Sequence, residues 1–334
     1  MFVRPNAVGC GALLSIGLRG VVPLRVFVIG ATGVIGRPLL PMLAENGHHV
    51  TALVHESEEG EVSRSAERVV RGDLLDEERL LPLLDEARPE VVLQLASGFR
   101  ERERALGLRR TALLRRRGTS NLVSAAAAAG VRRVVAQSSA AAYDPDTRGI
   151  LDEQASLYTR APGHWGEAFR AVDALERELF ESAGLEGVAL RFGALYGAET
   201  WYGPAGAVHD LVRNSALPLV EQGGGITSFT HVEDAAAAVL EALGELEPAA
   251  YNVVDNEPAE SAEWLPTYAR MIGGPEPVSL TLEQARQQLD WGTVHQLTEQ
   301  CGATNFRFRE AAGWRPRWPS WREGFAELFG LWPV

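Results

Sequence analysis

The segment LRVFVIG at residues 24–30 is an unbroken apolar run ended by a glycine, the pattern of a strand buried on both faces. VIGRPLLPMLAENG follows with apolar residues at helical spacing and Gly47 as its stop. Further along, HVTALV and ERVVRG predict strands, LDEERLLPLLDEA a helix, EVVLQLAS a strand and GTSNLVSAAAAAG a helix. VRRVVAQSS then predicts a strand, AFRAVDALERELFESAG a helix and VALRFGALYG a strand. Alternation of this kind predicts an α/β protein built on a Rossmann-type, doubly wound parallel sheet with helices on both faces.

From about residue 195 the alternation loosens. A glycine-rich EQGGG turn, a strand TSFTHV, a helix EDAAAAVLEALG and a strand AAYNVVD predict a small C-terminal α/β substrate lobe. The division expected is a tail at 1–23, a Rossmann domain at 24–194 and a substrate-binding lobe at 195–334, interleaved with the Rossmann core. The closing segment GWRPRWPSWREGFAELFG places three of the eight tryptophans among prolines and reads as a C-terminal cap. At the other end, AVGCGALLSIGL (7–18) is apolar but too short to span a bilayer. Because a strand starts only a few residues later, residues 1–23 read as a disordered tail or an over-long start in preference to an export signal.

Composition narrows the partners. With 46% hydrophobic and 23% charged residues and a formal net charge of −12, the 334-residue chain is neither a disordered polymer nor a basic nucleic-acid binder. A small-molecule substrate is the expected partner, with no nucleic acid and no membrane. All 32 basic Lys+Arg residues are arginines, which excludes any mechanism that requires a lysine. Cys10 and Cys301 stand far apart and form no metal or disulfide pattern, so no metal site is expected and the cytoplasm is the expected compartment. The arginine-rich span 99–118 reads as a solvated helix face with internal Glu–Arg pairs, or as an attractor for an anionic substrate or cofactor phosphate.

Gly30, Gly33 and Gly36 form GATGVIG, directly after a strand and directly opening a helix. The first glycine permits the tight turn, the second lets the backbone approach a pyrophosphate, and the third allows close helix–strand packing, while the helix N-terminus faces the anion. Together with GDLLD (72–76), LQLAS (93–97), GTSNLVSAAAAAGVRRVVAQSS (118–139), LRFGALYG (190–197), FTHVEDAA (229–236) and AAGWRPRWPSWREGF (311–325), the loop resembles the extended or atypical short-chain dehydrogenase/reductase superfamily, specifically its NAD-dependent epimerase/dehydratase family. The resemblance runs from about residue 24 to the end.

The resemblance implies that Gly30, Thr32, Gly33, Val34, Ile35 and Gly36 cradle the pyrophosphate, that Asp73 and Leu74 border the adenine, and that Ala96 and Ser97 line the ribose and phosphates. NAD-preferring relatives carry a carboxylate at the end of the second strand, where this chain has Val54 and His55. The expected cofactor is therefore NADP or NAD, with a lean to NADP: His55 and Arg37 are the candidate partners of its 2′-phosphate, while Glu56 would serve an NAD reading if the strand ran longer.

Redox chemistry in the resembling family uses Ser, Tyr and Lys as a general acid–base set. Ser139, closing VVAQSS, matches the serine. The Tyr-x-x-x-Lys pair falls on Ala168 and Val172 if Glu176 is aligned with the family glutamate, or on His164 and Ala168 by the usual spacing from the serine; both placements lose it. His164 could donate the proton, since an imidazole titrates at about 6.5 without help. Tyr143, four residues past Ser139, is the second candidate. The third outcome is a site without hydride transfer. The expectation is an oxidoreductase or epimerase acting on a small hydroxylated or carbonyl substrate, with a dinucleotide sensor or scaffold, or a redox-neutral lyase or isomerase, as alternatives.

Around this centre, Glu167 reads mainly as a first-turn carboxylate, Tyr158 as a loop tyrosine, and Arg191 and Tyr196 as substrate contacts or structural residues. His231 and Asp234 read as a helix start with Asp234 capping. Arg115 replaces an asparagine common in the family, and Ala198-Glu199 replaces a Pro-Gly. Helices at 100–128 and 164–184 correspond to those that pair in a family homodimer.

Overall fold

The computed structural model describes residues 22–55, 62, 64–98, 101 and 103–331. Most of the expected tail, Cys10 and Glu56 lie outside them.

Seven parallel strands form the central sheet: β1 (Arg25–Ile29), β2 (His49–Val54), β3 (Arg68–Arg71), β4 (Val91–Gln94), β5 (Arg133–Ser139), β6 (Glu186–Phe192) and β7 (Ala249–Val253). Their order is β7-β6-β5-β4-β1-β2-β3. The order reverses between β1 and β4, which pair in register from Val26↔Val91 to Ile29↔Gln94, so a crevice opens at their carboxyl ends. The sheet is Rossmann-type, as the alternating pattern predicts.

Strand β1 shows why continuous apolar runs were needed. Val26 and Val28 enter the core on one face, and Phe27 and Ile29 enter the core on the other. With a two-residue period, a strand covered on both sides must be apolar at every position. Fully burying one side chain such as Phe27 contributes about 1.5–3 kcal/mol. The first face receives helix α1 (Gly36–Glu45) and the helix at Val232–Glu241; the second receives α2 (Glu77–Ala87), α4 (Thr119–Ala128) and α5 (Gly163–Glu181). Between α2 and α4 runs α3 (Arg104–Leu113), joined to α4 by a single π-helical turn at Leu114–Gly118.

The strand AAYNVVD, grouped with the lobe by sequence order, is β7 of the main sheet and pairs with β6 from Ala249↔Val188 to Val253↔Phe192. The remaining C-terminal segments build a separate aromatic core around Tyr196, Tyr202, Trp264, Tyr268, Trp321 and Phe325. Asp234 ties that lobe down: its carboxylate accepts the backbone amides of Arg317 and Trp318 at 2.7 and 3.1 Å. The cap of the helix at Val232–Glu241 is instead His231, whose Nδ1 accepts the Glu233 amide, which corrects the assignment of capping to Asp234. Among the described residues no helix is long and apolar enough to cross a membrane.

Candidate active site

The crevice at the switch point holds two adjoining cavities. The first is bordered by the glycine loop after β1, by Leu53, Val54 and His55 at the end of β2, by Gly72, Asp73 and Leu74 after β3, and by Ala96 and Ser97 after β4. Gly30 adopts φ +88°, and a Cβ there would sit 2.5 Å from the Leu95 carbonyl carbon, so only glycine lets β1 turn this closely against β4. Asp73 accepts the Leu75 amide at 2.9 Å, and Asn121 of α4 donates to the Leu74 carbonyl, which fixes this corner from two elements. Of the expected cofactor residues, Gly30, Thr32, Gly33, Val34, His55, Asp73, Leu74, Ala96 and Ser97 line this cavity.

Ile35, Gly36 and Arg37 do not. Ile35 is buried in the core behind the loop, and Gly36 starts α1 with no room for a Cβ against the Gly30 and Ala31 carbonyls. Arg37 turns away: its Nε donates to the Thr32 carbonyl at 2.8 Å and its Nη1 to both oxygens of Glu199 at 2.8 and 2.7 Å. Arg37 clasps the glycine loop to the segment after β6 and is not among the residues that line this cavity. Glu101 and Arg110 also line the cavity and form an ion pair at 3.9 Å, one of the internal Glu–Arg pairs expected of the arginine-rich span.

The second cavity shares Val34 with the first and lies between the ends of β5 and β6, helices α3 and α5, and the lobe. Ser138 and Ser139 line it, as does Ala168. So do Trp165 and Phe169: on α5 the positions 165, 168 and 169 share one face at helical spacing. Trp201 and Tyr202 close it from the lobe. Arg104 lies between two rings, its guanidinium carbon 5.7 Å from the Trp165 centroid and 5.4 Å from that of Trp201, and it also donates to Thr293 and Gln296.

His164 does not line this cavity; it falls beside the cavity-facing stripe, in the first turn of α5. Tyr143 does not line it either. A short 3₁₀ turn at Ala140–Ala142 carries Tyr143 into the protein, where it is 1% exposed. Its hydroxyl donates to Asn252 Oδ1 and accepts from Arg191 Nη1, both at 2.9 Å, and burial pushes its pKa up although Arg191 pulls the other way. Arg191 in turn grips Glu176, with Nε to Oε1 at 2.8 Å and Nη2 to Oε2 at 2.6 Å, and Ser138 donates to the same Oε1 at 2.7 Å. Of the two expected proton donors, one lies off the cavity-facing stripe and the other inside a buried polar network joining β5, β6, β7 and α5.

The ionisable groups that do line the second cavity are Arg104, Arg115, Tyr202 and Cys301; among the described residues no carboxylate, histidine or lysine lines it. Burial pushes the Tyr202 hydroxyl and the Cys301 thiol up, further from neutrality. Burial also lowers Arg115 to about 10, against the opposing pull of Glu176. Sequence reading missed Trp165, Phe169, Trp201 and Tyr202. The i, i+4 spacing of Trp165 and Phe169 was the visible signal.

Comparison with known proteins is consistent with this geometry. The model of the NAD dependent epimerase/dehydratase family matches residues 26–253. A Streptomyces protein named "3-diazoavenalumate denitrifying reductase" is 45% identical over 304 residues, 90% of this chain and 99% of its own. Among solved structures, UDP-glucose 4-epimerase from Thermotoga maritima with UDP-glucose is similar at a TM-score of 0.71 and 21% identity, over 92% of this chain and 97% of that one. A dTDP-glucose 4,6-dehydratase from Streptomyces venezuelae with NAD bound gives 0.71 and 20% over 92% and 96%. At such identities the structural likeness speaks to the fold.

Proposed function

The chain belongs to the NAD dependent epimerase/dehydratase family, and we propose that within it this protein is an NAD(P)H-dependent reductase that replaces a diazo group, carried as a diazonium on an aromatic carbon of a planar unsaturated carboxylate, by hydrogen, with release of dinitrogen. The observation that carries this reading is the second cavity's lining: aromatic, cationic and without a proton donor that titrates near neutrality. Reduction of a carbonyl leaves an alkoxide that must be protonated, and epimerisation beside a carbonyl needs a base. Replacement of a diazonium group needs neither. The C–N bond breaks, its electron pair leaves with N₂, and an incoming hydride supplies the pair of the new C–H bond. When bound in the first cavity, a reduced nicotinamide would supply that hydride and would leave oxidised. The loss of Tyr-x-x-x-Lys is then a consequence of the reaction, and the name of the 45% identical relative points to the same chemistry.

The chain's own residues hold and shield. Gly30, Thr32, Gly33 and Val34 would cradle the pyrophosphate, Asp73 and Leu74 the adenine, and Ala96 and Ser97 the ribose, since these residues line the first cavity. Trp165, Phe169, Trp201 and Tyr202 would wall the space around a flat substrate and exclude water from its reactive group. Ser139, at the end of β5, would position an oxygen of the substrate. NADPH is the preferred form, because among the described residues β2 ends at Val54 and is followed by His55, with no carboxylate there to repel a 2′-phosphate. A cytoplasmic homodimer through α3 and α5 completes the proposal; the exposed Leu106, Leu113 and Phe180 on those two helices support it.

The test is direct. Purified protein, NADPH and a diazotised aminocinnamic acid should consume NADPH and evolve N₂ in equal amounts, followed by absorbance and headspace mass spectrometry. NADPH oxidation without N₂, or with carbonyl compounds only, would overturn the proposal.

A further inference from the structure

Arg115 is 5% exposed, yet among the described residues its guanidinium has no hydrogen-bond or ion-pair partner, and it lines the second cavity. The opposing charge that acts on it is Glu176. That carboxylate is already occupied: Oε1 accepts from Ser138 and Arg191, and Oε2 accepts from Arg191. Buried charges in folded proteins are paired or coordinated, because a desolvated, unpartnered cation is costly. An arginine that meets neither condition and faces a cavity is a site prepared for an anion.

Local structure explains how it comes to point there. Arg109, Arg110, Arg116 and Arg117 are exposed, as a solvated helix face requires. The π-helical turn at Leu114–Gly118 shifts the helical phase, and Arg115 is buried inside it. Such single turns are frequent at functional sites. Arg104, the other cation in the cavity, is already engaged by two indole faces, Thr293 and Gln296. Of Arg104's donors only Nε is without a partner, so Arg115 holds the larger set of uncommitted donors in a cavity whose lining also includes the apolar Leu108, Phe169 and Val208.

We propose that Arg115 is the anion anchor of the substrate cavity: its guanidinium takes an anionic oxygen of the bound molecule, a carboxylate or a phenolate, and selects acids over neutral compounds of the same shape. This rests on the second cavity being the substrate site and not on the diazo chemistry.

The experiment uses the full chain saturated with NADP⁺ and unreactive probes, with binding read by calorimetry. Cinnamate tests the carboxylate source, cinnamamide is its neutral counterpart, and 4-nitrophenolate against 4-nitroanisole tests the phenolate. At least one anion should bind about tenfold or more tightly than its neutral counterpart, and Arg115→Met should abolish that preference while leaving the neutral probe unchanged. Arg115→Lys should restore part of it. Free Arg115→Met protein should also melt at a higher temperature than the parent, since an unpaired buried cation is replaced by an apolar side chain of similar length. A structural arginine would do the opposite, so a lower melting temperature or failure to fold would overturn the anchor. Equal binding of anions by parent and variant, or no anion preference in the parent, would do the same. Failure of N₂ release with the anion preference intact would remove the diazo reading and leave the anchor standing.

Discussion

The hydroxyl of Tyr143 accepts a hydrogen bond from Arg191 Nη1 at 2.9 Å, beneath the carboxyl ends of the central strands. The same hydroxyl donates to Asn252 on β7, so one tyrosine links β6 and β7 through side chains. A proton donor needs access to substrate, and this group is sealed within the protein. Tyr143→Phe should therefore cost about 1–3 kcal/mol of stability, the usual consequence of leaving buried polar partners unmade. Turnover per folded molecule should stay within a few-fold of the parent. Urea denaturation and steady-state rates on the same preparation check both halves, and a collapse of rate with stability intact would return Tyr143 to the chemistry.

His231 and Asp234 begin the helix that anchors the lobe, and burial shifts them in opposite directions. His231 is lowered to about 4 by burial, with its Nδ1 needed as an acceptor for the Glu233 amide. Between pH 4 and its ordinary value of 6.5 the unfolded chain binds more protons there, so the contribution is present above 6.5 and lost as pH falls. Asp234 is raised to about 6 by burial, although two backbone amides oppose the shift. Between its ordinary 3.8 and 6 the folded chain binds more protons, so that contribution is present at low pH and lost as pH rises. Each shift corresponds to on the order of 3 kcal/mol, and the two largely cancel. Melting curves of His231→Asn should gain on the parent as pH drops from 6.5 toward 4, and those of Asp234→Asn should gain as pH climbs toward 6. Parallel profiles for all three proteins would contradict the assignment.

Much of this was legible in the chain. Continuous apolar runs such as LRVFVIG can be buried on both faces only inside a covered parallel sheet, and the glycine spacing placed a cradle at the first strand's end. What escaped were contacts set by rotation over a few residues or by long-range pairing. Tyr143 stands four residues from Ser139, and a single 3₁₀ turn decides that one faces the cavity and the other the interior. Arg115 stood out only as a departure from an asparagine; its burial depends on a π-helical turn that no local pattern announces. The edge strand β7 lies more than fifty residues beyond its partner β6, and its membership follows from a pairing that sequence order does not encode.

His55 follows β2 directly and lines the first cavity, where a ribose carboxylate partner would stand in an NAD-selective protein. With Arg37 committed to Glu199, His55 is the remaining residue of the expected pair that can meet a 2′-phosphate. His55→Asp should reverse the preference, weakening NADPH by about tenfold or more while NADH binding holds or improves. Fluorescence titration with both cofactors measures the ratio. An unchanged ratio would move the phosphate contact elsewhere on the rim, with Arg110 the next cation lining that cavity.

The absence of a neutral-range donor in the second cavity has a kinetic signature. Arg115, lowered to about 10, stays charged through neutrality, while Tyr202 and Cys301 are pushed upward and stay protonated. None of these three groups changes charge between about pH 6 and 8, so the rate of the reductive step should be flat across that window. Labelling gives the complementary evidence. If the new C–H bond forms from hydride alone, deuterium placed at C4 of NADPH should appear in the product, and deuterium from D₂O should not appear at that carbon. Carbonyl reduction would differ, because its second hydrogen comes from a protein donor and slows in D₂O. A tenfold fall in rate across the window, or solvent deuterium at the former diazo carbon, would require a titrating donor within reach of the substrate. Ser139 would then be the first residue to replace, because it is the hydroxyl at the end of β5 that the family's mechanism uses and it lines the cavity where Tyr143 and His164 do not.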